Sequence, residues 1–412
     1  MKIVHISTSD RIGGAAIAAY RLNEAMRLIG LDSKMLVASK LSDNNDVYSI
    51  ADLKGKQYKF IYDIIYSLTF HVKQYLLRPL GFFSLASFFS FHISRLALLK
   101  EADVIYIHWT NNSFISLHEI KRILNLGKPV YFFMHDMWLI TGGCHHSFTC
   151  SQWKNKCAVC PNIQRKFFQN ISQYVFDKKK SLPSDIHIIT PSHWLTNCVK
   201  DSALFASADV VTIPNLLNTV TFRLIDRKIA RAILGLPLEQ KLILFAAAGG
   251  SANIYKGWNM MERISDSLFK EKIGIVLLGN RLSDDSCNLD IYSVGKLHDE
   301  YSLALLYNAV DVYVSPTMAE SFGMTLIEAQ ACGTPVVAFN VGGVPDTMEH
   351  KLTGYLAELG NVDDLLRGIK WAFENTNNRT WREVSHAHVD KLYSYQKIAN
   401  LHIENLSKVR NE

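Results

Sequence analysis

Apolar segments of strand length alternate with segments of helix length in two series along the chain. In the first 200 residues the strand-like segments are KIVHIS, DSKMLVA, DVIYIHW, PVYFFMH and IHIITPS. The second series, between residues 241 and 358, comprises KLILFAAA, IGIVLLG, DIYSVG, DVYVSP, PVVAF and GYLAE. Strands that are apolar almost throughout and separated by helices are typical of parallel sheets covered on both faces. The sequence therefore predicts two open α/β sheets, one after the other.

Chain length and composition agree with two globular domains. A chain of 412 residues exceeds the roughly 250–300 residues at which one core stops growing. Apolar residues make up 48% and charged residues 20%, which is ordinary globular composition. The net charge of +6 favours anionic partners or an anionic membrane surface. The positive charge is too small and too dispersed to indicate nucleic-acid binding.

The boundary between the domains is predicted near ADVVTIPNLLN, where a strand ends at Pro214 and Asn215. We assign residues 1–205 to an N-terminal Rossmann-like domain and residues 206–384 to a C-terminal Rossmann-like domain. The last segment, 385–412, has helical spacing, and we expect it to pack back on the first domain.

Targeting signals are not evident. The first residues, MKIVHISTSD, read as a strand and lack the basic and apolar regions of a signal peptide. No apolar run reaches the length of about 18 residues that a membrane-spanning helix needs. We therefore expect a cytoplasmic protein, whose seven cysteines are thiols or metal ligands rather than disulfides.

Two glutamates, Glu320 and Glu328, flank the start of a predicted helix in SPTMAESFGMTLIEAQACG. The helix follows the carboxyl end of the strand DVYVSP, and ligands of open α/β sheets bind at such ends. The free N–H groups at the helix start favour an anion. The carboxylates are either surface charges near a helix terminus or acceptors for the vicinal hydroxyls of a sugar or ribose.

Three further segments offer candidate ligand contacts. GGSANIYKGW places Lys256 before a helix, as a phosphate contact or as a surface lysine; Tyr255 rules out a P-loop. RIGGAAIAAY opens a helix at Gly13 and Gly14 without the spacing of a dinucleotide fingerprint. His135 ends the segment PVYFFMH, as a hydrogen-bond partner or proton carrier in a cleft, or as a buried structural histidine.

Taken together, several motifs resemble the retaining glycosyltransferases of family 4. These motifs are IPNLLN, the pair Lys256-Gly257, YNAVDVYVSP and PTMAESFGMTLIEAQACGTPVVAFNVGGVPD, whose glutamates match the E-x7-E motif of that family. The resemblance spans nearly the whole chain and is strongest from about residue 240 to 360. It implies the GT-B fold, in which two Rossmann-like α/β domains face each other across a cleft. The resemblance makes residues 1–205 the acceptor-side domain and residues 206–384 the domain that binds the nucleotide sugar.

The resemblance also implies roles for individual residues. Glu320 matches the glutamate that binds hydroxyls of the donor sugar, Glu328 the one that binds the ribose, and Lys256 the lysine that neutralises the diphosphate. The basic residue usually found five positions before that lysine is missing, because Ser251 stands there. Arg281 is our candidate substitute.

Further donor contacts are implied near the reacting sugar, the phosphates and the base. His135 matches a histidine near the reacting sugar. The segment from Val294 to His298 matches one that frames the nucleotide base. The remaining matches are backbone and turn positions near the sugar and phosphates: Gly13, Gly14, Phe322, Gly323, Met324 and Thr325.

The resemblance implies a metal-independent hexosyl transfer with retention of the anomeric configuration. The chain contains no D-x-D motif, which metal-dependent glycosyltransferases of the other major fold use to hold a cation. The implied donor is a nucleotide-diphosphate sugar. The implied acceptor is a hydroxyl of a lipid-linked oligosaccharide.

The stretch HDMWLITGGCHHSFTCSQWKNKCAVCP is similar to glycosyltransferases of the bacterial colanic-acid and exopolysaccharide type. Its cysteines, Cys144, Cys150, Cys157 and Cys160, have the spacing C-x5-C-x6-C-x2-C. The last pair is a good zinc half-site, whereas the first gap is wider than usual. Within the loop 144–160 we weigh a structural zinc, with His145 or His146 as alternate ligands, against unligated thiols in a packed loop.

Residues 54–100 combine seven basic residues and one acidic residue, Asp63, with many aromatic residues. This composition fits a segment that lies on an anionic membrane, where lipid-linked acceptors reside, and would make the protein peripheral on the inner face of the cell membrane. Core helices of the first domain are the alternative.

Two other functions are weighed against glycosyl transfer. A zinc-containing nucleic-acid-binding protein would explain the cysteines and the positive charge, but neither the two α/β series nor the glutamate motif. A nucleotide-sugar epimerase or a phosphorylase would share the GT-B fold and differ in its products.

Overall fold

The computed structural model describes residues 1–87, 89–247, 255–279 and 289–410. Contacts within the chain divide it into two compact units. The first unit is Met1–Leu216 together with the last helix from Ile398 on, and the second is Leu217–Lys397.

The described part of the first unit contains a seven-stranded sheet in the order β3-β2-β1-β4-β5-β6-β7. Every neighbouring pair is parallel. All four positions of β4 and of β5 are buried, as expected of strands covered by helices on both faces. The strands are Lys2–Ser9 (β1), Asp32–Ser39 (β2), Val47–Ser49 (β3), Val104–Ile107 (β4), Val130–Phe133 (β5), His187–Thr190 (β6) and Asp209–Thr212 (β7).

Helices connect these strands and cover the sheet. They are Gly14–Leu28 (α1), Ile50–Lys54 (α2), Gln57–Leu77 (α3), Ala97–Lys100 (α4), Leu117–Leu124 (α5), Ile171–Lys179 (α6) and His193–Lys200 (α7). Short 3-10 turns lie at Ile93–Arg95, Trp138–Ile140, Gln152–Lys154 and Lys166–Phe168.

The second unit has a six-stranded sheet in the order β10-β9-β8-β11-β12-β13 within the described residues, again with parallel pairs. Its strands are Leu242–Ala247 (β8), Gly274–Gly279 (β9), Ile291–Gly295 (β10), Val312–Ser315 (β11), Val336–Phe339 (β12) and Gly354–Ala357 (β13). Its helices are Arg227–Leu234 (α8), Trp258–Lys270 (α9), Glu300–Ala309 (α10), Met324–Ala331 (α11), Val362–Asn375 (α12) and Arg379–Tyr393 (α13), and a 3-10 turn spans Val344–Thr347. Helix Tyr395–Arg410 (α14) starts in this unit and continues into the first.

Both sheets have the strand order of a doubly wound Rossmann-like fold. In each, the order reverses between the first strand and the fourth: between β1 and β4 in one sheet, and between β8 and β11 in the other. Ligands of this fold bind where the order reverses, beyond the carboxyl ends of the strands. The loops after these four strands are therefore the places to look for a site.

The predicted α/β architecture is confirmed, with differences in detail. The three-residue strand β3 was not predicted, because its sequence VYS is too short to show a pattern. The final segment, predicted as one late helix, contains α13 and α14. No helix among the described residues is long and apolar enough to span a membrane.

Candidate functional site

The loops after β8 and β11 meet in the second unit. The turn residues Gly249 and Gly250, Ser251 and its candidate substitute Arg281 lie outside the described residues. From Tyr255 on the first loop is described, and its carbonyl oxygen accepts two hydrogen bonds from the second loop. The donors are the N–H of Met318 at 2.9 Å and the hydroxyl of Thr317 at 2.8 Å.

Gly257 permits this close approach of the two loops. Its φ of 72° lies in the left-handed region, and a Cβ built on it would stand 1.9 Å from the carbonyl oxygen of Pro316. Only glycine fits such a contact. Lys256, which precedes it, is thereby fixed beside the loop that carries Glu320.

The backbone of Glu320 is held by the segment NVGGVPD. Its carbonyl oxygen accepts a hydrogen bond from the N–H of Gly343 at 2.9 Å. Gly342 has a φ of 57°, and a Cβ there would lie 2.0 Å from the same oxygen. The partly exposed Glu320 carboxylate accepts the N–H of Ser321 at 3.2 Å. The two glycines of this segment therefore set the position of a glutamate more than twenty residues earlier.

Helix α11 begins immediately after this loop. Phe322 is buried with its ring 5.8 Å from that of Tyr393, and Gly323 caps the helix with a φ of 105°. Met324 and Thr325 form the partly exposed first turn. The Thr325 hydroxyl accepts a hydrogen bond from the Tyr313 hydroxyl at 3.0 Å. The expected helix start is thus present, with its N–H groups next to Glu320.

Glu328 lies on the second turn of α11 and is buried. The interpretation of this residue as part of a solvated helix face is therefore wrong. The Tyr307 hydroxyl donates a hydrogen bond to its Oε2 at 3.0 Å. Burial, and then the Glu328 charge, raise the pKa of Tyr307 well above its ordinary value, so the phenol stays a donor. Sequence reasoning missed Tyr307, because nothing in its helix separates it from a core tyrosine.

The segment predicted to frame the base ends strand β10. Val294 is partly exposed on that strand, and His298 is exposed three residues after it. β10 is the outermost strand next to β9 in the described sheet. Val294 packs against the apolar cluster that contains Phe322, and the contact of this segment with the base stays a prediction.

The predicted glycine turn of the first unit follows β1, one of the two strands between which the order of the sheet reverses. Gly13 follows β1 and caps α1 with a φ of 86°, and Gly14 is the first residue of that helix. A Cβ on either glycine would meet no heavy atom within 4 Å. The backbone of this turn is therefore open to approach.

His135, which follows β5, belongs to a chain of three histidines. His135 Nε2 is 3.0 Å from His108 Nδ1, and His108 Nε2 is 2.9 Å from His5 Nδ1. Burial lowers the pKa of His135 to about 4, partly offset by Asp136, and lowers that of His5 to about 3. His135 is thus a neutral imidazole at neutral pH. Sequence reasoning missed His5, which is one of several polar residues in β1, and His108, which directly follows β4.

Asp136 fixes the local structure next to this histidine. Its Oδ1 accepts the N–H of Trp138 at 2.7 Å, and its Oδ2 lies 2.6 Å from Nδ1 of His145. His145 Nε2 lies 2.9 Å from the Ser84 hydroxyl. Both ring nitrogens of His145 are thus engaged within the protein, and its role as an alternate zinc ligand stays a prediction.

The four cysteines of the loop 144–160 line one small cavity. The N–H of Gly142 points to Cys157 Sγ at 3.2 Å. Burial raises the pKa of Cys144 to about 12 and that of Cys157 to about 11. In the described part of the chain, no group of three or more His, Cys, Asp or Glu residues is arranged to hold a metal ion. Cys144, Cys157 and Cys160 are buried and Cys150 is partly exposed; the zinc site stays a prediction.

Solved structures of the same fold cover almost the entire chain. Sucrose-phosphate synthase from Thermosynechococcus elongatus matches with a TM-score of 0.68 and 17% identity over 100% of both chains. Anabaena HepE in complex with UDP and glucose matches with a TM-score of 0.64 and 16% identity over 99% of both chains. WaaG, a glycosyltransferase involved in lipopolysaccharide biosynthesis, matches with a TM-score of 0.59 and 14% identity over 97% of this chain and 99% of its own. The chain has the GT-B fold.

Sequence comparison matches a smaller part of the chain. Residues 226–383 match the family model described as Glycosyl transferases group 1. D-inositol 3-phosphate glycosyltransferases of Mycobacterium bovis and Mycobacterium tuberculosis are 33% identical over an alignment of 168 residues; the match covers 35% of this chain and 34% of theirs. The match thus spans about a third of the length of these curated relatives. The range matched by the family model includes Lys256, Glu320 and Glu328.

Proposed function

We propose that the protein is a retaining glycosyltransferase. It moves a hexose from a nucleotide-diphosphate sugar to a hydroxyl of a lipid-linked oligosaccharide in bacterial surface polysaccharide synthesis, without a catalytic metal. The observation that carries the proposal is that the loop after β8, with Lys256, meets the loop after β11, with Glu320. The start of α11 follows directly, and Glu328 is buried one turn further on. The group 1 match and the UDP complex of the structurally similar HepE support a nucleotide-sugar donor.

The chemistry follows from charge. When the bond between the sugar and the diphosphate breaks, negative charge develops on the leaving phosphate. The Lys256 ammonium and the N–H groups at the start of α11 are fixed donors for that charge. Removal of one such donor typically lowers the rate roughly 10²–10³-fold. Glu320 would hold the sugar hydroxyls and Glu328 the ribose. We assign His135, as a neutral hydrogen-bonding group, the contact near the reacting sugar that the family resemblance implies.

A direct test incubates the purified protein with a panel of UDP- and GDP-sugars and follows thermal stabilisation, then transfer to an alkyl glycoside acceptor. Glu320→Ala should retain folding and lose about 10- to 100-fold in transfer, the worth of hydrogen bonds to a charged group. Glu358→Ala, at an exposed glutamate in the same unit, is the matched control. Full activity in Glu320→Ala would overturn the donor-site assignment.

An epimerase or phosphorylase is the second candidate, because both occur with this fold. Product analysis with donor alone separates them from a transferase. An epimerase changes the sugar without any acceptor, and a phosphorylase requires inorganic phosphate. A transferase yields an elongated acceptor whose new linkage keeps the donor's anomeric configuration.

We also propose that the protein binds the inner face of the cell membrane through helix α3. Only Tyr62 and Leu77 of its 21 residues are buried. Its exposed large apolar residues are Phe60, Ile61, Ile64, Tyr66, Leu68, Phe70, Val72 and Tyr75. Such a surface, with an excess of basic residues around it, is typical of interfacial helices. The alternative, a core helix, does not fit this exposure.

Vesicle sedimentation tests this proposal. The double variant Phe60→Ser/Ile64→Ser should lose most of its binding to vesicles that contain anionic lipid. Phe167→Ser removes an apolar side chain that is 88% exposed outside α3, and it should bind as the unaltered protein does. Equal binding by both variants would refute the role of α3.

A structural zinc held by Cys144, Cys150, Cys157 and Cys160 is the last part of the proposal. Its support is the cavity that the four side chains share, together with the Gly142 N–H directed at Cys157. A bound zinc would require the thiols as thiolates and would tie the loop 144–160 together. Metal analysis of the purified protein decides: less than about 0.2 zinc per chain discards the site, since structural sites bind tightly. Cys198→Ser, at a buried cysteine outside the loop, is the control for Cys157→Ser.

A further inference from the structure

A large apolar pocket lies beneath helix α3 in the first unit. Its volume is about 370 Å³. One wall is the helix face that carries Tyr66, Phe70 and Lys73. The opposite walls come from the segment 84–87 and Phe89, the residues Asn112 and Ser113, and the pair Phe168 and Ile171.

The size and lining of this pocket fit an apolar ligand. Small-molecule sites typically measure roughly 300–1,000 Å³ and are lined mostly by apolar side chains with a few polar groups. Here the apolar lining includes Leu68, Val72, Leu76, Leu85 and Phe89. Water in such a pocket finds few hydrogen-bond partners, so an apolar chain would displace it favourably.

Lys73 supplies a cationic group inside this apolar surface. Its ammonium lies 5.5 Å from the centre of the Phe70 ring. No acceptor or carboxylate among the described residues forms a hydrogen bond or ion pair with it. Burial lowers its pKa, which is the sign of a charge that lacks compensation. An anion placed beside Lys73 would restore that compensation.

The loop at residues 112 and 113 is strained where it lines the pocket. Asn112 and Ser113 have φ values of 58° and 64°, in the left-handed region that residues other than glycine rarely adopt. The Ser113 hydroxyl is hydrogen-bonded to that of Thr69 on α3 at 2.9 Å. Backbone strain of this kind persists where the surrounding structure enforces it, and it is concentrated at ligand sites. The bond between Ser113 and Thr69 ties this loop to the helix that carries Lys73.

We propose that this pocket binds the apolar chain of a lipid phosphate, the anchor of the acceptor, and that the Lys73 ammonium pairs with its phosphate. The inference rests on the proposed function, from which the lipid-linked acceptor is taken. Charge complementarity supports this occupant: residues 54–100 carry seven basic residues and one acidic residue, Asp63. A neutral lipid would leave Lys73 uncompensated.

Binding of geranylgeranyl phosphate and of the alcohol geranylgeraniol to the full-length protein tests the pocket. Lys73→Met keeps the apolar volume and removes the charge. It should therefore lower the affinity for geranylgeranyl phosphate about tenfold or more and leave the affinity for geranylgeraniol unchanged. Lys59→Met removes an exposed charge of the same helix outside the pocket and should change neither. Ala86→Phe, which fills the pocket, should weaken both ligands.

The outcomes separate the pocket from the function. Equal affinity of the unaltered protein and Lys73→Met for the phosphate, or full competition by inorganic phosphate alone, would overturn the proposal. So would unchanged lipid binding in a folded Ala86→Phe, because the chain would then lie elsewhere, as on the outer face of α3. Transfer to a short-chain alkyl glycoside does not need the pocket. If the protein does not transfer sugar to the alkyl glycoside, but Lys73→Met lowers its affinity for geranylgeranyl phosphate, the proposed function is refuted and the proposed pocket is supported.

Discussion

The contact between Gly257 and Pro316 allows a prediction with a matched control. In Gly257→Ala the new Cβ would stand 1.9 Å from the Pro316 carbonyl oxygen, at a φ of 72°. The left-handed backbone costs about 1–2 kcal/mol. Separating the loops also breaks the two hydrogen bonds to the Tyr255 carbonyl, each worth about 0.5–1.5 kcal/mol. The free energy of unfolding should therefore fall by about 2–5 kcal/mol.

Gly235→Ala is the control. Gly235 ends helix α8 with a φ of 65°, and a Cβ there would meet no heavy atom within 4 Å. It carries the same backbone cost of about 1–2 kcal/mol and no loop separation. Urea denaturation should show a midpoint for Gly257→Ala lower by roughly 1 M than that of the control, for a slope of roughly 2 kcal/mol per M.

The same pair of variants reports on ligand binding. Displacing the loop moves Lys256, so calorimetry should show weaker nucleotide binding in Gly257→Ala and unchanged binding in Gly235→Ala. Equal losses of stability in the two variants, with unchanged nucleotide affinity, would refute the reasoning.

Three further predictions follow from individual side chains. Lys256→Ala should lower the transfer rate about 10²–10³-fold, as loss of one fixed donor to a developing charge does, whereas Lys270→Ala, at an exposed lysine of α9, should not; a steady-state assay checks both. Tyr307→Phe leaves the Glu328 carboxylate without one donor and should cost about 1–3 kcal/mol in the free energy of unfolding, measured by denaturation. The pKa of His135, lowered from 6.5 to about 4 in the folded state, means that the unfolded chain takes up a proton first as the pH falls. Stability should therefore decrease from pH 6.5 to pH 4 by up to about 3 kcal/mol, and His135→Asn should reduce that slope in urea titrations. An equally steep slope in His135→Asn, full activity in Lys256→Ala, or unchanged stability in Tyr307→Phe would contradict the respective argument.

The two sheets were predictable because their strands are buried on both faces. Such strands appear as continuous apolar runs, and in each series the helix-length spacing dictated parallel pairing. The helix start at α11 was equally predictable, since it follows a strand end directly. Strand β3, with three residues, and the one-residue break between α13 and α14 are too short to be predicted from a local sequence pattern.

Site residues held by distant parts of the chain were harder to predict. The burial of Glu328 depends on Tyr307, 21 positions earlier, and the histidine chain joins His5, His108 and His135 from three strands. These contacts arise from strand order and helix packing, which spacing along the sequence does not encode. The pocket beneath α3 could not be predicted for the same reason, although the basic and aromatic composition of residues 54–100 is evident in the sequence.

The central claim is that the second unit binds a nucleoside diphosphate with Glu328 on the ribose. Calorimetry with UDP, or with GDP if it binds more tightly, and with the 2′,3′-dideoxy analogue tests it in the protein and in Glu328→Gln. The protein should prefer the natural nucleotide about 10- to 100-fold, the worth of hydrogen bonds to a carboxylate, and the variant should bind both alike. Undiminished preference in a folded Glu328→Gln would contradict the account.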